Sequence, residues 1–98
     1  MRQAIMDAEV GDDTIDVDPT VQQLEQLVAE LLGKDAAIFM PSGTMTNQVA
    51  LRLHCRPGEE FLCEAECHIV NYEQGGYAQL SGLVPRTVTG DNGVLRQQ

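Results

Sequence analysis

Apolar residues recur at intervals of three and four between residues 19 and 32, which predicts one amphipathic helix over this stretch. Asp18 and Pro19 open it in the order that an N-cap and a first helical residue prefer. Gly33 can end it in the left-handed conformation, and Lys34 places a positive charge near the negative end of the helix dipole. The apolar stripe of this helix consists of Val21, Leu24, Leu27, Val28, Leu31 and Leu32.

Less regular patterns predict three further helical stretches. Residues 1–9 have the composition of the last turns of a helix, and residues 44–54 carry apolar side chains on one face. Residues 68–80 predict another helix, which the Gly75-Gly76 pair weakens. Residues 90–93, Gly-Asp-Asn-Gly, predict a turn.

Three short apolar runs predict β-strands at residues 36–40, 61–65 and 83–88. The first, AAIFM, suits a strand that is buried on both faces. Strands that alternate with helices over short connections indicate right-handed parallel crossovers, and therefore an α/β fold. No linker, repeat or low-complexity tract interrupts the chain, so we expect residues 1–98 to lie within one domain.

The net charge of the chain excludes some classes of binding partner. Fifteen acidic residues against six basic ones give a net charge of −9, which repels phosphate backbones and anionic lipids, so we exclude nucleic acids and membrane surfaces. No apolar run approaches the ~20 residues of a bilayer span, and the N-terminus lacks the apolar core of a secretory signal. The three cysteines are an odd number, which fits a reducing compartment better than a disulfide framework. We expect a cytoplasmic protein.

Ser42, Gly43 and Thr44 stand where a predicted strand ends and a predicted helix begins. A helix N-terminus offers unpaired N–H groups and a partial positive charge, and at the carboxyl end of a parallel strand it is a common anion site. Gly43 would let the backbone approach an anion closely, while the two hydroxyls could donate to phosphate oxygens. The alternative is that Ser42 or Thr44 only caps the helix. The stretch is neither a P-loop nor a dinucleotide-binding glycine motif.

Three blocks of sequence, taken together, resemble the N-terminal part of the low-specificity threonine aldolases, which belong to the β-eliminating lyase family of pyridoxal-phosphate enzymes. The blocks are AEVGDD with DPTV, FMPSGTMTNQVAL and EAECHIVNYEQGGYAQLSG, and the resemblance covers about residues 1–93. It implies a partial, parallel-sheet piece of the large domain of pyridoxal-phosphate-dependent, aspartate-aminotransferase-like enzymes. It also implies a homo-oligomer in the full-length family.

The resemblance implies roles for four residues. Ser42, Gly43 and Thr44 match the loop that holds the phosphate of pyridoxal 5′-phosphate. His68 matches the histidine that lies over the pyridine ring and is a candidate for proton transfer at the substrate hydroxyl. Read without the family, His68 is a residue at a helix start with no ligand.

The implied activity is that of an aldehyde lyase, which cleaves a β-hydroxy-α-amino acid such as threonine or allo-threonine to glycine and acetaldehyde. This reaction needs a lysine that anchors the cofactor and an acidic residue at the pyridine nitrogen. Lys34 is the only lysine and lies outside the family's lysine motif. The acidic residue and the substrate-binding arginines are also missing, and Ile15-Asp16-Val17 replaces a Tyr-Gly-Glu string. We therefore expect these 98 residues to be inactive alone.

Three alternatives remain open. The first is a remnant or interaction protein that pairs with an intact aldolase subunit, and the second is a gene product that continues past Gln98. The third is a small metal-binding domain, because Cys55, Cys63, Cys67 and His68 supply four zinc-type ligands. Their spacing argues against zinc, since Cys63 lies inside a predicted strand. We predict no metal site.

Overall fold

The computed structural model of the chain describes residues 1–12 and 14–96, so Asp13, Gln97 and Gln98 lie outside the described residues. The backbone divides into two compact units, Met1–Phe39 and Met40–Gln98. The expectation of one domain stays a prediction. Within the described ranges, no helix is long and apolar enough to cross a membrane.

The Met1–Phe39 unit contains helix α1, Arg2–Asp7, and helix α2, Pro19–Leu32. Both predicted ends of α2 are confirmed. The Asp18 carboxylate accepts hydrogen bonds from the N–H groups of Thr20 and Val21, each at 2.9 Å. Gly33 adopts the left-handed conformation with φ 60° and donates to the carbonyl of Glu30. Local capping chemistry therefore sets the length of α2.

The strand predicted at residues 36–40 is wrong. These residues form no strand among the described residues, and Ile38 and Phe39 are 73% and 50% exposed. The N–H of Phe39 donates to the carboxylate of Glu25 on α2 at 2.6 Å, so a helix side chain takes the place of a neighbouring strand. An apolar run becomes a strand only where another strand can pair with it.

The Met40–Gln98 unit is built around a parallel crossover. Strand β1 pairs in parallel with strand β2, in a register that runs from Glu60 opposite Val84 to Glu64 opposite Val88. This pairing confirms the second and third predicted strands and the α/β fold. In chain order the elements are α3 (Gly43–His54), β1 (Glu60–Glu64), α4 (His68–Asn71), α5 (Gly76–Gln79) and β2 (Val84–Val88).

The single helix predicted at residues 68–80 is also wrong, because the structure has two short helices, α4 and α5, in its place. Gln74 and Gly75 separate them, with φ values of 57° and 68° in the left-handed region. The turn directs the side chain of Glu73 into the interior of the unit, where it is fully buried. Sequence analysis identified the weak point at the glycine pair but not the full break.

The interior of this unit is small and unusually polar. Among its described residues, Leu83 is buried and apolar, and the polar residues Gln48, Glu73 and Ser81 are also buried. Buried polar groups are costly unless they are hydrogen-bonded. Their partners therefore decide what this interior can do.

Candidate functional site

Ser42 caps helix α3. Its backbone is extended, with φ −151° and ψ 151°, and its hydroxyl accepts a hydrogen bond from the N–H of Met45 at 3.1 Å. The carbonyl of Ser42 accepts from Thr46, through both its N–H and its hydroxyl. Capping uses the Ser42 hydroxyl only as an acceptor, so its proton is still available for an anion. The capping and anion-binding interpretations are therefore compatible.

The first turn of α3 offers further donors. Within the part of the chain that the structure describes, no group accepts a hydrogen bond from the N–H of Gly43 or Thr44. A Cβ atom built on Gly43 would meet no atom within 4 Å, so the space beside this residue is open. Ser42, Gly43 and Thr44 are all exposed. Free N–H groups, hydroxyls and open space at the positive end of a helix dipole suit an anion.

His68 begins helix α4, and its side chain is 59% exposed. Its Nδ1 atom lies 2.9 Å from the Oε1 atom of Glu73. Its ring lies 5.4 Å from the ring of Tyr72, between centroids, at a tilt of 41°. The Nδ1 edge of the imidazole therefore contacts Glu73, while much of the side chain is exposed to solvent.

Glu73 joins His68 to helix α3. Its Oε1 also accepts from the side-chain amide of Asn47, and its Oε2 accepts from that of Gln48, each at 2.6 Å. Asn47 lies four residues after Gly43, about 6 Å along the helix axis from the candidate anion site. Burial acts to raise the pKa of Glu73, but the hydrogen bonds from Asn47, His68 and Gln48 outweigh it and hold the pKa below the usual value.

A cavity of about 430 Å³ lies in the same unit, and Ser42 and Thr44 are part of its lining. Gln48 and Ser81 also line it. The Gln48 Oε1 and the Ser81 Oγ are buried and have no hydrogen-bond partner among the described residues. The Oε1 of Gln48 lies against the backbone of Gly76, where a Cβ atom would come within 2.9 Å of it.

The three cysteines were weighed as zinc ligands in the sequence analysis. All three are free and half-buried. Burial, followed by a hydrogen bond with Cys67, raises the pKa of Cys63 to about 11, so its thiol is neutral at physiological pH. Across residues 1–12 and 14–96, no group of three or more His, Cys, Asp or Glu side chains is placed to hold a metal ion. The zinc alternative thus gains no geometric support.

Comparison with known proteins decides the family. The model of the family described as beta-eliminating lyase matches residues 1–98. The chain belongs to the β-eliminating lyase family. This family is dependent on pyridoxal phosphate and has the α/β architecture of fold type I, to which the parallel β1–β2 crossover conforms.

Several relatives in this family are low-specificity threonine aldolases. The chain is 45% identical to low-specificity L-threonine aldolase 1 of Arabidopsis thaliana over 89 residues, which are 90% of this chain and 25% of that protein. It is 47% identical to the low specificity L-threonine aldolase of Escherichia coli K12 over 88 residues, 90% of this chain and 26% of that enzyme. It is 37% identical to the Saccharomyces cerevisiae protein of the same name over 94 residues, which are 95% of this chain and 24% of that protein. The chain therefore spans about a quarter of the length of the curated relatives it matches.

The start of α3 fits the phosphate of the family's cofactor. The donors there are N–H groups and hydroxyls, which bind phosphate oxygens, and the backbone at Gly43 is open to close approach. Lys34, in the other unit, lies exposed just after α2 ends.

Sequence analysis missed the residues that tie His68 to α3. Asn47, Gln48 and Glu73 were all part of the quoted blocks, but they received no role. A glutamate directly before a Gln-Gly-Gly turn was the available signal, since such a turn ends a helix and can redirect the preceding side chain. Its partners, on a helix 25 and 26 residues away, could not be read from local pattern.

Proposed function

We propose that this chain forms the phosphate-binding and ring-facing part of a pyridoxal-phosphate-dependent aldolase that cleaves β-hydroxy-α-amino acids of the threonine type. The family match over residues 1–98 and the identities with threonine aldolases support this proposal. The single observation that carries it is the open start of α3, where Ser42, Gly43 and Thr44 offer donors to an anion. A homo-oligomer and a cytoplasmic location stay predictions.

Each residue has a defined part in this proposal. The Ser42 and Thr44 hydroxyls and the N–H groups of Gly43 and Thr44 hold the cofactor phosphate at the helix N-terminus. His68 would contact the pyridine ring of the cofactor and would exchange a proton with the β-hydroxyl of the substrate. When bound, pyridoxal phosphate supplies the electron sink that makes cleavage of the carbon–carbon bond possible.

We expect no turnover by these 98 residues alone. Lys34 is the only lysine in the sequence, and its exposed position after α2 suits a solvated charge. Covalent anchoring of the cofactor therefore needs a lysine that these residues do not contain.

Calorimetric titration with pyridoxal phosphate tests the phosphate site. The discriminating variant is Ser42→Asp, because aspartate caps a helix as well as serine but repels an anion. We expect the wild-type chain to bind pyridoxal phosphate more tightly than pyridoxal, which lacks the phosphate. We expect Ser42→Asp to remove that preference while the circular dichroism spectrum is unchanged. Equal binding of the two ligands by the wild type would refute the phosphate role.

A chimera tests the aldolase activity. The matching segment of the E. coli enzyme is replaced by this chain, so that the remainder of that enzyme completes the protein. We expect the chimera to release glycine and acetaldehyde from threonine. We expect His68→Ala to lower kcat by about 10²- to 10⁴-fold, the usual contribution of a general acid or base. A folded chimera that binds the cofactor but does not cleave threonine would contradict the substrate class.

A further inference from the structure

We propose that Glu73 is a positioning residue that fixes the tautomer and the orientation of the His68 ring. This inference rests on the proposed function for its purpose, which is to present the Nε2 atom of His68 for proton exchange with the substrate. The tautomer itself is a property of the chain without cofactor. It can therefore be tested separately.

The chemistry of the hydrogen bond determines which nitrogen carries the proton. An ionised carboxylate only accepts hydrogen bonds, so the Nδ1 of His68 must donate to the Oε1 of Glu73 across their 2.9 Å separation. In a neutral imidazole the other nitrogen, Nε2, then has a free lone pair. Nε2 can accept a proton, which is what a base at the substrate hydroxyl must do.

Glu73 is suited to this task because two side-chain amides hold its carboxylate in place. Its side chain is fully buried, and Asn47 and Gln48 donate to both of its oxygens from α3. The hydrogen bonds that keep its pKa low also keep it ionised at neutral pH. His68, by contrast, is largely exposed and makes no other side-chain hydrogen bond among the described residues.

The arrangement also ties the ring to the phosphate end of the site. Asn47 and Gln48 lie one turn into the same helix that begins at Ser42 and Gly43. A carboxylate held by a rigid element orients an imidazole in the same way in many metal and hydrolase sites. Here the rigid element is α3. Residues that would contact the phosphate and the residue that would face the ring are thus positioned by one helix.

Long-range ¹H–¹⁵N correlation spectra of the histidine side chains test the proposal. They are recorded at increasing pH until the spectra show the neutral ring. We expect His68 to carry its proton on Nδ1. Exposed His54 is the internal control, since no side-chain hydrogen bond is found for it among the described residues, and we expect the Nε2–H form that free histidine favours. An Nε2–H form at His68 in the wild-type chain would overturn the proposal.

Two matched variants then assign the effect to Glu73. Glu73→Met fills a similar volume but cannot accept a hydrogen bond, whereas Glu66→Met removes a nearby exposed carboxylate. We expect Glu73→Met to shift His68 to the Nε2–H form and Glu66→Met to leave it unchanged. A folded Glu73→Met chain that retains the Nδ1–H form overturns the proposal. If that variant does not fold, the wild-type spectrum decides.

The same samples separate this proposal from the proposed function. Titration with inorganic phosphate is followed at the backbone amides of Gly43 and Thr44. A chain with the Nδ1–H form at His68 but no phosphate response would refute the phosphate site and leave the role of Glu73 standing. A phosphate response together with the Nε2–H form at His68 would support the phosphate site and refute the role of Glu73.

Discussion

The buried carboxylate of Glu73 lies 2.9 Å from the Nδ1 atom of His68, whose side chain is 59% exposed. Through Asn47, which donates to the same oxygen of Glu73, this contact connects the start of α4 to α3. The connection joins the two parts of the sequence that resemble a cofactor site. Predictions about stability and about ligand binding both follow from it.

Truncation of Glu73 should destabilise the Met40–Gln98 unit. In Glu73→Ala, the buried amide of Gln48 loses its acceptor, and Asn47 and His68 lose theirs. We expect the free energy of unfolding to fall by about 1–3 kcal/mol, the cost of leaving buried polar groups unpaired. Urea denaturation followed by circular dichroism measures it. Glu66→Ala, at an exposed site, is the control and should change little; equal effects would contradict the prediction.

Stability should fall in acid partly because of Glu73. Its pKa in the folded chain lies below the usual 4.5, so near that pH the unfolded chain binds more protons. The contribution of Glu73 to stability is thus fully present above about pH 4.5. It is lost as the pH falls through the lower pKa that Glu73 has in the folded chain. We expect Glu73→Gln to lose less stability than the wild type between neutral pH and about pH 3.

The comparison between the two chains isolates Glu73. The pKa values of Asp18 and Glu60 are also lowered, by hydrogen bonds from Gly11 and Arg86 respectively as the leading causes. Both residues remain in the variant, so their contributions cancel in the difference. If the stability of the wild type and of Glu73→Gln changed with pH in the same way, the pKa of Glu73 would not be lowered in the folded chain.

Local chemistry predicted the elements that it controls. The ends of α2 follow from Asp18 and Gly33, and β1 and β2 follow from short apolar runs with a helical connection between them. The prediction of a strand at residues 36–40 was wrong because a strand needs a neighbouring strand to pair with. The N–H of Phe39 donates instead to the carboxylate of Glu25.

The residues of the candidate site also differ in whether local sequence could indicate them. Ser42, Gly43 and Thr44 could be proposed from the sequence because an anion site at a helix start is contiguous in sequence. His68 required the resemblance to a family. The partners of Glu73 could not be predicted, because the two amides lie 25 and 26 residues away and because the turn at Gln74 and Gly75 replaces a predicted helix.

Substitution of Gly43 should separate binding from folding. A Cβ atom at Gly43 meets nothing within 4 Å, and this residue has no positive φ, so Gly43→Ala should fold normally. Its free energy of unfolding should stay the same or rise by up to about 1 kcal/mol, because alanine favours helix. The added methyl group would occupy the approach of the phosphate. We expect calorimetry to show affinity for pyridoxal phosphate reduced by about tenfold, or ~1.4 kcal/mol.

Substitution of Gly76 should have the opposite effect. A Cβ atom there would come within 2.9 Å of the Gln48 amide, which donates to Glu73. We expect Gly76→Ala to displace this amide and to lower the free energy of unfolding by about 1.5–3 kcal/mol, the loss of a hydrogen bond to a charged group. A Gly76→Ala chain as stable as Gly43→Ala in the same urea titration would count against the Gln48 contact.

Cys63 should be slow to react. Burial raises the pKa of Cys63 to about 11, so little of this thiol is ionised near neutral pH, and the thiolate is the reactive form. We expect iodoacetamide to modify Cys63 more slowly in the folded chain than in urea, as read by peptide mass mapping. Unfolded chain, in which burial and the contact with Cys67 are lost, is the control. Equal rates in the two states would contradict the raised pKa.

The most direct test of the account is a titration of ¹⁵N-labelled chain with pyridoxal phosphate, observed at the backbone amides of Gly43 and Thr44. The account predicts that both amides shift and saturate in the wild type, and that Ser42→Asp, which keeps the helix cap, abolishes the response. It also predicts no comparable shift with pyridoxal, which has no phosphate. Unchanged amides in the wild type, or the same response in Ser42→Asp, would show that the start of α3 is a capped helix and not a cofactor site.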